Sequence, residues 1–162
     1  NLNYPPFYES NSPFLREADI QQYTQYIGTI KELERRQSWV EMEELSSEAL
    51  TIERNHATAW YLLGTAQNAQ GKYSSALESR QMALALDISR KRTMPTYSRI
   101  AQSVCEELGC YTDNIIPVVE AQVREKGLSV YSELFGDHEH LKPKGCSLVA
   151  EHFVRLLSKE EH

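Results

Sequence analysis

A spacing of 34 residues governs the middle of this 162-residue chain, because between Ser38 and Leu86 the same apolar and small positions return after that interval. Trp39 is answered by Tyr73, Ala49 by Ala83, Leu50 by Leu84 and Ile52 by Leu86. A period of this length is that of a stacked two-helix unit: one helical hairpin cannot bury its apolar face alone, so a second is laid against it. From about Glu17 to Gln37, apolar residues fall at Ile20, Tyr23, Ile27, Ile30 and Leu33, three or four apart, which predicts a helix with one buried stripe. Three further helices are predicted, over Trp39 to Ile52, His56 to Gln70 and Tyr73 to Leu86, with Gly71 stopping the one that starts at His56.

The second copy resembles the tetratricopeptide repeat (TPR), with Trp60, Leu63, Gly64, Gly71, Tyr73, Ala76 and Ala83 in the register of that family's signature. Small residues at Gly64, Ala76 and Ala83 let neighbouring helices approach closely, while Trp60, Leu63 and Tyr73 fill the gaps between layers. The first copy departs from the pattern, with Ile30 where the second has Gly64 and Met42 where it has Ala76, as expected of an end-capping unit. In this family ligands lie against the first helix of each repeat. The resemblance therefore implies a protein or peptide partner on a surface made by Thr24, Ile27, Lys31, Thr58, Tyr61, Thr65 and Asn68, with Glu34, Arg35 and Ala69 alongside.

Composition narrows the remaining classes. At 162 residues and 41 % apolar content the chain can bury one core but not two large ones. A formal charge of −6 and a pI near 5.4 argue against nucleic acid or an anionic membrane as partner, since phosphates are repelled. The one basic cluster, Arg90, Lys91 and Arg92, reads as a solvated connector. No apolar run approaches the roughly 18 residues of a membrane span, and no signal peptide is visible. Three cysteines, Cys105, Cys110 and Cys146, cannot all pair within the chain and form no C-x-x-C pattern, so reduced, partly buried thiols are expected.

The last third abandons the repeat. Thr93 and Pro95 form a cap and first-turn pair, and Tyr97, Ile100, Ala101, Val104, Cys105 and Leu108 mark one face of a helix that Gly109 ends. A short strand is expected over Cys110 to Thr112, and Asp113 is placed to cap a helix entered by Ile115, Ile116, Val118 and Val119 and closed by Gly127. Pro143 opens a final amphipathic helix whose Leu148, Val149, His152, Phe153, Leu156 and Leu157 share a face. Before it lies a loop in which Asp137 and His140 are three residues apart, a separation that lets a turn bring the carboxylate onto the imidazole. An Asp held against a His fixes its tautomer and stabilises its protonated form, as a general base acting on a serine requires. His138 and Cys146 add metal-competent side chains, but the spacing fits no established zinc pattern, and no metal or cofactor is expected.

This D-x-x-H, followed by Gly145 and an amphipathic helix, resembles the C-terminal block of the SGNH, or GDSL-type, hydrolases. The opening Asn1-Leu2-Asn3-Tyr4-Pro5-Pro6-Phe7 is similar to an N-L-x-x-x-P-F segment in those SGNH hydrolases that carry inserted TPRs, and the order of elements from Asn1 to His162 is theirs. The resemblance implies that Asp137 and His140 complete a triad with an upstream serine. Two features depart from the family: Leu141 follows the His where a Pro is usual, and Ser10, Ser12, Ser38 and the other serines sit in no G-D-S or G-x-S-x-G setting. The chain alone is therefore expected to be inactive, because nucleophile and oxyanion donors are missing.

The expected architecture is mainly α: an extended lead-in over 1–16, TPR-like hairpins over 17–92, and a helical portion over 93–162 that keeps at most one short strand of an α/β domain and carries the D-x-x-H loop. The helices after Thr93 would be left with apolar faces meant for a sheet, and the repeats or a second copy of the chain, in a homodimer, are expected to cover them. Two functions follow. One is a serine ester or acyl hydrolase whose C-terminal part this chain forms, with the repeats as lid or docking surface; the other is a TPR protein-interaction module without catalysis.

Overall fold

The computed structural model describes residues 2–3, 5–6, 16–88, 95–110 and 114–158. It is mainly helical, with α1 (Glu17–Arg36), α2 (Trp39–Ile52), α3 (Ala57–Ala69), α4 (Tyr73–Leu86), α5 (Pro95–Leu108), α6 (Ile116–Lys126), α7 (Ser129–Leu134) and α8 (Pro143–Leu157). Among the described residues there is no strand, only an isolated antiparallel bridge between Phe135 and Leu141. The strand expected over Cys110 to Thr112 falls mostly outside the described residues, and Cys110 itself is not in one. The Arg90 to Arg92 cluster, the Thr93 and Asp113 caps, and Asn1, Tyr4, Phe7, Ser10 and Ser12 also lie outside them.

The four helices of the 34-residue period stack in sequence order, each against the next. Tyr23 and Ile30 of α1, Met42, Ala49 and Leu50 of α2, and Ala59, Leu62, Leu63 and Ala66 of α3 bury one apolar cluster, with Trp39 and Trp60 packed on its margin. Of the stripe expected on α1, Ile20 stays exposed. That helix ends at Gln37, whose φ of 58° is left-handed. The turn is closed by Ser38 N–H donating to Leu33 O at 3.0 Å, the six-to-one bond that satisfies an orphan carbonyl.

A second cluster joins the stack to the last third. Ala76 and Leu77 of α4 meet Val119 and Val123 of α6, Val130, Tyr131 and Leu134 of α7, and Leu2 from the start of the chain. Helix α6 starts at Ile116, whose N–H is taken by Asn114 Oδ1 at 3.0 Å, so the described capping contact comes one residue after the expected Asp113. Helix α7 is unexpected from the sequence, being six residues long and too short for a helical period to register.

The apolar face of α5 is expected against the repeats or against a second copy of the chain. The repeats do not cover it: Tyr97, Ile100, Val104 and Leu108 are exposed. The free face of α4, which could have received it, is already filled by α6, α7 and Leu2. Phe153 and Leu157 on α8 are exposed as well, while Leu148 reaches the second cluster.

The cysteines are a correction, since Cys105 and Cys110 form a disulfide and only Cys146 is free. The helix end explains the pairing. Gly109 takes φ +66°, so Gly109 N–H reaches Glu106 O at 3.4 Å and Cys110 N–H reaches Cys105 O at 2.9 Å. This Schellman turn sets the residue after the glycine over the third from the helix end, a pair usually joined by an apolar contact. Here the two Cα atoms lie 4.8 Å apart and the contact is covalent.

Candidate catalytic dyad and repeat groove

The loop between α7 and α8 is short and pinned at both ends. Gly136 N–H donates to His140 O and Lys142 N–H to Leu134 O, both at 2.8 Å, and these bonds flank the Phe135–Leu141 bridge. Lys142 Nζ donates to Ser132 O at 2.7 Å, and Lys144 is paired with Glu133 across the same junction. Gly145 makes the closeness feasible, because a Cβ there would stand 2.4 Å from Leu134 O.

Inside this loop Asp137 uses both carboxylate oxygens. Its Oδ1 accepts the backbone N–H groups of Glu139 and His140, each at 2.8 Å, and its Oδ2 lies 2.7 Å from His140 Nδ1. The backbone N–H of His140, that of Glu139 and the His140 ring together hold the Asp137 carboxyl far below the usual carboxylate range. The hydrogen bond to Asp137, and then its charge, raise the His140 imidazole above its ordinary value. Both are the shifts of an ion pair in which each partner favours the other's charged form. With Nδ1 committed to the carboxylate, Nε2 is the nitrogen left to exchange a proton with a third group. No hydroxyl is bonded to it among the described residues. The imidazole side chain is 77 % exposed and the carboxylate 43 %.

Among the described residues no group of three or more His, Cys, Asp or Glu side chains is disposed to bind an ion. His138 instead lies 3.4 Å from Glu139 Oε1.

The expected partner surface divides in two. Thr24 and Lys31 are exposed on α1, with the Thr24 hydroxyl donating to Ile20 O at 2.8 Å. Ile27 packs on the first cluster, and Thr58 is half-buried near the start of α3. Tyr61, Thr65 and Asn68, which share a face of α3, are instead engaged with the rest of the chain. The Tyr61 hydroxyl donates to Asn3 O at 2.9 Å, Thr65 Oγ1 accepts from Arg80 Nη2 at 2.8 Å, and Asn68 Oδ1 accepts Leu128 N–H at 2.8 Å.

Sequence reasoning passed over Arg80, which is 5 % exposed. A signal was present, because Ala76, Arg80 and Ala83 recur at the spacing of one helical face and a charge there interrupts an otherwise small, apolar stripe. Lys142 and Ser132 carried no comparable signal, since their roles depend on a junction between two helices.

Compared with known proteins, the chain matches no family model, no curated protein and no solved structure.

Proposed function

We propose that this chain is the C-terminal part of an SGNH-type serine ester or acyl hydrolase, in which Asp137 orients His140 and His140 acts as general base toward a serine carried upstream. The observation that carries the reading is the contact of 2.7 Å between His140 Nδ1 and Asp137 Oδ2, in a loop whose backbone fixes the carboxylate. A carboxylate on Nδ1 keeps the proton on that nitrogen and presents the lone pair of Nε2. The serine hydroxyl would give its proton to Nε2 as it attacks the ester carbonyl, and the resulting imidazolium would return it to the leaving group. The TPR-like hairpins would serve as lid or docking surface.

The test is intact-mass analysis of the natural-length protein after fluorophosphonate treatment, a reagent that labels an activated serine. A single adduct is expected, lost in His140→Ala and strongly reduced in Asp137→Asn. A folded protein that takes no adduct refutes the reading. The chain by itself is expected to take none.

The 34-residue period favours a second role, that of a TPR-like interaction module without catalysis. On that reading Lys31→Glu weakens partner binding and Asp137→Asn leaves it unchanged.

A further inference from the structure

The inner face of α3 and α4 grips a piece of main chain in a way the stacking of helices does not need. Arg80 Nη1 donates to Leu2 O at 3.1 Å, and the Tyr61 hydroxyl donates to the next carbonyl, Asn3 O, at 2.9 Å. The two donors are set as a unit. The Arg80 guanidinium lies 3.5 Å over the Tyr61 ring, its Nη2 is fixed by Thr65 Oγ1, and its stem runs beside Gly64, where a Cβ would come within 3.1 Å of it. A guanidinium this deeply buried is retained only where it is hydrogen-bonded and stacked. The held side chains are read too. Leu2 is 7 % exposed among the apolar residues of the second cluster, and Asn3 Nδ2 donates to Leu128 O at 2.7 Å and Ser132 Oγ at 2.9 Å. Capture of successive carbonyls, an apolar pocket and an amide-reading pair are the parts of a peptide-binding site.

We propose that the face built by Tyr61, Thr65 and Arg80 is a peptide site whose resident occupant is the chain's own Leu2–Asn3 pair. A foreign segment of the same chemistry, a leucine-sized side chain followed by an asparagine, binds there only by displacing it. The inference does not depend on the hydrolase reading. It narrows the partner surface instead, because Tyr61, and Thr65 through Arg80, are committed to an intramolecular ligand. A tethered segment competes at an effective concentration on the order of millimolar, so a free peptide of modest affinity is excluded until the tether is weakened.

The test uses the full chain and a fluorescein-labelled peptide with the sequence of residues 1–7, followed by anisotropy. Leu2→Asp with Asn3→Ala displaces the resident pair. This variant is expected to bind the peptide at least about ten-fold more tightly than the unchanged chain, and Tyr61→Phe added to it is expected to weaken binding several-fold. Asn3→Ala alone keeps Leu2 in the core and guards against a variant that fails to fold; it should give a smaller gain, about three-fold, with an unchanged circular dichroism spectrum. Equal affinity for the unchanged chain and for Asn3→Ala, or no binding to a folded variant, would overturn the proposal.

Discussion

Replacing Gly145 by alanine tests whether the dyad loop is held by the close approach of α8 to α7. The added Cβ would stand 2.4 Å from Leu134 O and 2.8 Å from Leu141 Cδ2, where ordinary contact begins near 3.4 Å. The leucine methyl can rotate away, but the carbonyl oxygen cannot, because it ends α7 and accepts Lys142 N–H at 2.8 Å. The first turn of α8 must therefore recede by about 1 Å, which strains that hydrogen bond. Overpacking against a fixed neighbour costs about 1–3 kcal/mol, and a weakened hydrogen bond about 1 kcal/mol more. Alanine returns up to about 1 kcal/mol through helix propensity. The net loss is about 1–3 kcal/mol, which for a chain of this size lowers Tm by about 3–10 °C. Thermal unfolding followed by circular dichroism measures it, with Gly136→Ala as control. There the new Cβ meets His140 O at 3.8 Å and Lys142 Cγ at 3.9 Å, so a change within about 0.5 kcal/mol is expected. If Gly145→Ala proves as stable as Gly136→Ala, the close approach does not hold the loop.

The Asp137–His140 pair predicts a stability window in pH. The lowered Asp137 value makes its contribution fully present above the ordinary carboxylate value, near 4, and lost as pH falls toward the folded value. The raised His140 value makes its contribution fully present below about 6.5 and lost as pH rises through the folded value. The pair therefore contributes most between about 4 and 6.5, and NMR titration of the His140 ring should show its raised value return to the ordinary one in Asp137→Asn. Thiol counting on the denatured chain should find one free thiol before reduction and three after it, given one disulfide and one free cysteine. Cys105→Ser should cost about 2 kcal/mol by the chain-entropy relation for so short a loop, read as a lower urea midpoint; an unchanged midpoint would mean that the Schellman turn holds without it. Gln37→Gly should stabilise by about 1 kcal/mol, because Gln37 occupies the left-handed region at φ 58° where a Cβ is penalised; a lower Tm would contradict the turn.

The sequence was most legible where structure is local and periodic. The boundaries of α2 and α4 agree with the apolar spacing, and the Asp137–His140 contact was inferable because three residues fit within one turn. The sequence was opaque where a role depends on contacts distant along the chain. Arg80 meets Leu2 across 78 residues and Asn3 meets Leu128 across 125, separations that no period records. Two cysteines five residues apart read as reduced thiols from composition, because what pairs them is the backbone conformation of Gly109 between them. The face of α5 was legible as amphipathic, but its cover stayed open between the repeats and a second copy of the chain, since amphipathicity gives a buried direction and no occupant.

The exposure of the dyad bears on the chemistry proposed for it. An imidazole 77 % exposed interacts with its carboxylate through water and salt, so the pair is worth little as a surface ion pair. A serine activated in such a setting would gain little, because oxyanion donors and the pair itself act strongly only where water is excluded. The hydrolase reading therefore demands a wall over His140 beyond the residues described. The same reading gives the exposed Tyr97, Ile100, Val104 and Leu108 of α5 a use, because burying such side chains contributes about 1.5–3 kcal/mol each when complete. On that reading, an upstream element that covered α5 and also reached the dyad would dry the site without contacts to Asp137 itself. Under that arrangement Leu108→Glu would lower the fluorophosphonate labelling rate of the natural-length protein while leaving the His140 titration of the present chain unchanged. A variant that labels at the full rate would separate the α5 face from the catalytic reading.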